Sequence, residues 1–104
     1  MTDMMVAKII LEQLGGRKFI AMTGATNLCG GADSLSLKIG KGAKTPAGAN
    51  VSHMRVKLTP ADDYEVEFLW IRGTRVVTIS KHEGVYAEDL QPLFTEQTGF
   101  DTHL

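Results

Sequence analysis

A single cysteine, Cys29, leaves the chain without any intrachain disulfide framework, and a lone thiol fits a reducing compartment. A cationic surplus is missing as well: 11 Lys and Arg face 12 Asp and Glu, a formal net charge of -1. Proteins that coat DNA usually show a basic excess, because each neutralised phosphate releases counterions. Long apolar runs are also absent. In the first fifteen residues Lys8 and Glu12 interrupt the hydrophobic positions, so neither a membrane span nor a signal-peptide pattern is present there. The expectation is a cytoplasmic protein with no membrane partner.

The familiar site signatures fail on inspection. Gly40-Lys41-Gly42-Ala43-Lys44-Thr45 has the look of a phosphate loop, but Ala43 stands where the glycine before the lysine is required. Gly24 to Gly31 precedes a strand-like stretch rather than a helix, so it is no dinucleotide fingerprint. His53, His82, His103 and Cys29 are scattered singly, without the spacing that a zinc site needs. No catalytic, metal-binding or cofactor-binding residues are expected.

What is there describes a globular domain. The 104 residues are 43% hydrophobic and 22% charged, and a chain of this size buries roughly two-thirds of its unfolded surface. One domain spanning 1–104 is expected. Val6, Ile10 and Leu14 recur every four residues, so Thr2 to Leu14 reads as a helix capped by Thr2 or Asp3 and ended by Gly15-Gly16. Lys18 to Thr23 reads as a short first strand and Gly24 to Asp33 as a loop.

Strict alternation then marks strands at Ser34 to Ile39, His53 to Leu58 and Tyr64 to Arg72, with a fifth from Arg75 to Ser80 after the Gly73-Thr74 turn. Gly40 to Asn50 is a loop able to order on contact, and Thr59 to Asp63 a turn. The last helix lies within Ala87 to Thr98, where Asp89 as cap puts Pro92 at the third helical position, which has no amide bond to lose. The fold class is therefore two-layer α+β: about five antiparallel strands with an N-terminal and a C-terminal helix on the more apolar face. Tyr64, Phe68 and Trp70 are expected in the core beneath those helices.

Charge is unevenly spread. Residues 33–58 carry Lys38, Lys41, Lys44, Arg55 and Lys57 against Asp33 alone, whereas residues 59–104 carry nine acids against Arg72, Arg75 and Lys81. Cross-strand pairing of the row at 53, 55 and 57 with Glu65 and Glu67 accounts for part of this. The remaining candidates for recognition are Lys81, His82, Glu83 and Tyr86, a polar group placed between the last strand and the final helix.

Two stretches also carry a textual likeness. Leu11-Glu12-Gln13-Leu14-Gly15-Gly16 with Lys18-Phe19-Ile20-Ala21-Met22-Thr23-Gly24-Ala25 forms one. Tyr64 to Phe68, Ile71-Arg72-Gly73-Thr74, Lys81 to Tyr86 and Phe94 to Gly99 form the other. Together they resemble small proteins of bacteriophages and related mobile elements, over most of the chain outside residues 40–52. Pro92 departs from that pattern, which has a helix former there. The resemblance supplies a context and no active-site residues.

Two function classes follow. The first is a non-enzymatic accessory protein that binds another macromolecule, a host or phage protein in the first instance, with inhibition of a host-defence complex as one form. The second is nucleic-acid binding through Lys38, Lys41, Lys44, Arg55 and Lys57. A small enzyme using His82 ranks behind both.

Overall fold

The computed structural model describes residues 5–100. Helix α1 spans Met5–Leu14 and buries Ala7, Ile10 and Leu14 on one face, three and four residues apart as a helical face requires, while Val6, expected with Ile10 and Leu14, is half-buried. Its expected cap at Thr2 or Asp3 lies outside the described residues. The chain does not leave the helical state after the glycine pair. Gly15 pivots at a φ of 125°, and α2 follows over Gly16–Thr23.

The expected strand at Lys18 to Thr23 is thus a helix. Phe19 and Thr23, four residues apart, are its two buried positions, and the Thr23 hydroxyl donates to the Phe19 carbonyl. Six residues with apolar Phe19, Ile20 and Met22 fit either period, and packing of Phe19 on the last helix decides the matter.

The strand missing there is found at Thr26–Gly30, in the segment expected to be loop. This β1 is almost wholly exposed, so it carries no alternation to read, and its pairing with β2 is irregular between Thr26 and Cys29. The other strands stand close to expectation: β2 at Ser34–Lys38, β3 at His53–Leu58 and β4 at Tyr64–Arg72. Strand β5 runs from Arg75 to Val85, five residues beyond the expected end. All five form one antiparallel sheet in sequential order, β1-β2-β3-β4-β5. A single 3₁₀ turn at Ala87–Asp89 leads into α3, Leu90–Thr98, with Pro92 third in that helix.

One core joins the helices to the inner face of the sheet. Ile10, Leu14, Phe19, Leu90 and Phe94 meet Leu37, Met54, Val56, Val66 and Phe68. Phe94 lies at its centre, 4.9 Å from the Phe19 ring and 6.5 Å from the Phe68 ring between centroids. Polar ties hold the layers in register. Tyr64 donates to Gln13 at 2.7 Å, and the Gln91 amide donates to the Leu14 carbonyl at 2.9 Å.

Two bulges shape β5. Phe68 faces Ser80 but Leu69 faces Thr78, so Ile79 is extra; Tyr64 faces Val85 but Val66 faces His82, so Glu65 stands opposite both Glu83 and Gly84. Gly84 takes a φ of 66°, the left-handed state that lets a strand bulge at little cost. Trp70, expected in the core, is only half-buried, since it lies toward the tip of the β4–β5 hairpin where β5 is exposed from Arg75 to Thr78, while Tyr64 and Phe68 are buried as expected.

Candidate functional site

The end of the sheet where β2, β4 and the 40–52 segment meet forms a cleft of about 420 Å³ lined by Lys38, Lys41, Asn50, Ser52 and Trp70 among others. Backbone bonds build it. The Ile39 amide donates to Ser52, Gly40 to Thr23, Val51 to Ala43, and Ser52 to Leu69, at 2.8–3.0 Å. The Ser52 hydroxyl accepts the Ile71 amide at 2.8 Å and lies 2.7 Å from His53 Nδ1. Residues 40–50 are a loop as expected, but one tied at both ends; a single bridge between Lys44 and Asn50 closes its tip.

Gly40 is required by space. A Cβ there would come within 2.5 Å of the Thr23 carbonyl oxygen and 3.4 Å of Gly24 Cα. Burial, and then the Lys38 ammonium, hold His53 below the usual imidazole range, which keeps it neutral near pH 7.

The five cations of the 33–58 segment do not form one track. Lys38 and Lys41 line the cleft. Lys44 does not, and its amide instead donates to the Thr98 carbonyl at the end of α3. Arg55 stands across from Glu67, with 3.6 Å between charged atoms, and Lys57 across from Glu65. The expected cross-strand match is therefore present for residues 55 and 57, while His53 faces Leu69.

The group Lys81, His82, Glu83 and Tyr86 is also divided. Expected in a connecting turn, residues 81–83 lie within β5, and strand alternation separates them. Lys81 is 2.9 Å from Glu65 and 3.9 Å from Glu83. His82 turns to the other face: its ring stands edge-on to Phe68 at 5.9 Å, and its Nε2 is 3.1 Å from the Ser80 hydroxyl, which donates to Gln97. Tyr86 is exposed at the strand's end. Among the described residues no group of three or more His, Cys, Asp and Glu is placed to hold a metal ion, and no helix is long and apolar enough to cross a membrane.

The ion pair on the outer face gives a pH test. Hydrogen bonding from Lys81, with its charge, holds the Glu65 carboxyl below the ordinary glutamate range, and Glu65 in turn raises Lys81. A depressed carboxyl contributes stability that is full above its unfolded pKa and fades as pH falls through the folded value. Lys81→Gln is expected to return Glu65 upward, read by carboxyl NMR titration. An unmoved Glu65 midpoint would exclude the pairing.

Sequence reasoning missed the hairpin end. Ile71 is half-buried there, Val76 and Val77 are 58% and 41% exposed, and Arg72 and Arg75 flank the tip. The signal was the run Phe68-Leu69-Trp70-Ile71, four apolar residues without alternation, which assigns apolar side chains to both faces of one strand. Comparison with protein families, curated proteins and solved structures finds no match to this chain.

Proposed function

We propose that the protein is a non-enzymatic binding module whose partner is an extended, acidic segment of another protein added to the open edge of β5. The observation that carries this reading is the stretch Arg75 to Thr78. Strand β5 is last in the sheet, so its outer edge has no strand beside it among the described residues. An unpaired edge offers backbone donors and acceptors to an incoming strand.

The rest of both edges is poorly suited to that use. Beyond Thr78, β5 is interrupted by bulges at Ile79 and Gly84 and carries charged Lys81 and Glu83. At the other edge, β1 is five residues long and irregular, with Asn27 at a φ of 52°. Bulges and charges of this kind block strand addition. Only 75–78 combines regular pairing with exposed β-branched side chains.

Arg72 and Arg75 select the occupant. A segment with carboxylates beside apolar residues complements their charge and the exposed Val76 and Val77. The resemblance to small phage and mobile-element proteins supports a host or phage protein as the source of that segment, with inhibition of a host-defence complex as one outcome.

Selection from a random peptide library on the immobilised protein tests this. Enriched peptides are expected to alternate β-branched residues with Asp or Glu. The Val76→Lys/Val77→Lys variant should bind them at least about tenfold more weakly, a loss of about 1.4 kcal/mol. Peptides that bind this variant as well as the parent, or no enrichment at all, would overturn the assignment.

A further inference from the structure

The β4–β5 hairpin fixes which backbone groups of its open edge face outward. Only Gly73 and Thr74 join Arg72 to Arg75, and Gly73 turns the chain at a φ of 62°. Along an antiparallel pair, residues that exchange both hydrogen bonds alternate with residues that exchange none. Arg72 and Arg75 must be of the first kind, because the alternative needs a bond nearer the turn, between the neighbours Gly73 and Thr74. Val77, opposite Trp70, is then also bonded to β4. Val76 and Thr78, opposite Ile71 and Leu69, direct their N–H and C=O groups away from it. Both also have exposed side chains.

Those four outward groups favour one direction of pairing. An antiparallel strand engages all of them with just two residues, placed opposite Val76 and Thr78. The slanted bonds of a parallel strand reach the Thr78 carbonyl only from a residue opposite Ile79, where the bulge breaks the spacing.

The arginines add a second condition. Arg72 and Arg75 stand directly across from each other, so both lie on one face of the hairpin. Like charges in such a pair are destabilising. Among the described residues neither arginine is in a salt bridge, in contrast to Arg55 and Lys81. A carboxylate on the partner residue opposite Arg75 continues the same row and offsets that repulsion.

We infer that β5 receives its partner strand antiparallel, through main-chain hydrogen bonds to Val76 and Thr78, with a carboxylate of that strand set against Arg72 and Arg75. Resting on the assignment of this edge as a docking site, the geometry adds an order to the partner's residues. Two β-branched residues spaced by one lie opposite Thr78 and Val76, and Asp or Glu follows them directly. A parallel partner would carry the acid first.

The blocked peptide Ser-Thr-Val-Thr-Val-Glu-Thr-Ser and its reversed sequence test this, titrated into the full chain and followed by NMR. The forward peptide is expected to bind, and at saturation amide exchange should slow by about tenfold at Val76 and Thr78. Exchange at Arg75 and Val77, already bonded to β4, should not change. The reversed peptide should bind about fivefold more weakly, as for the loss of one hydrogen bond. Arg72→Gln/Arg75→Gln should weaken the forward peptide by about fivefold, while a peptide with glutamine in place of glutamate binds variant and parent alike. Equal affinity for the reversed peptide, slowed exchange at Arg75 and Val77 instead, or indifference of the forward peptide to the arginines would overturn this order and leave the docking edge standing. Binding by neither peptide at millimolar concentration would overturn the docking edge, and the order with it.

Discussion

Phe94→Ala is expected to destabilise the protein by about 3–5 kcal/mol, the range for removing a fully buried phenylalanine. Phe94 has no solvent exposure, and it is the ring that meets both Phe19 from α2 and Phe68 from β4. Its removal therefore opens a void bounded by three elements that cannot collapse together. Leu90 and Thr98 hold α3 from either side, and the Thr98 hydroxyl already donates to the Phe94 carbonyl. Against a total of about 5–15 kcal/mol for domains in general, the variant stands near its unfolding limit. Urea denaturation should show a lowered midpoint with an unchanged slope. A loss below about 1 kcal/mol would mean that α3 does not sit on the sheet as described.

Gly40→Ala is the second large effect. The new methyl would meet the Thr23 carbonyl oxygen at 2.5 Å, and that same oxygen accepts the Gly40 amide at 3.0 Å. Neither partner can yield by rotating a side chain, since both are backbone. Relief must separate residues 23–24 from residue 40, weakening that hydrogen bond and shifting the cleft mouth. A cost of about 1–3 kcal/mol is expected from overpacking, read as a lower midpoint in thermal or urea unfolding. Gly40 is not among the glycines with a positive φ, which locates the cause in crowding and not in backbone strain. Unchanged stability would show that the α2 terminus and the end of β2 do not touch.

Both predictions concern places that the residue pattern described unequally. The alternation at Ser34–Lys38, His53–Leu58 and Tyr64–Phe68 was legible because each strand has one wet and one dry face. The cross-strand match of Arg55 and Lys57 with Glu67 and Glu65 followed from the same period. Pro92 was placed correctly by its missing amide hydrogen alone. By contrast, Gly16–Thr23 could satisfy a strand or a helix until Phe19 found Phe94. Strand β1, exposed along nearly its whole length, held no burial pattern from which to recognise it.

The cleft and the open edge were less legible still. Lys38 and Trp70 are 32 positions apart in the chain, and only the antiparallel order β2-β3-β4 brings them to one end of the sheet. His82 and Lys81 are adjacent in the chain yet serve opposite faces, so a cluster of polar letters became two unrelated environments.

The amino-acid order by itself determined the two-layer α+β class, the positions of the well-patterned strands, the outer charge rows and the absence of familiar site motifs, all of which depend on short-range periodicity and residue chemistry. Tertiary structure alone decided that Lys18–Thr23 is helical, that β5 bulges and runs on to Val85, and that Trp70 stands at a cleft beside two lysines. Those outcomes depend on contacts between segments distant in the chain, and local periodicity carries no information about which distant segment will cover a given face.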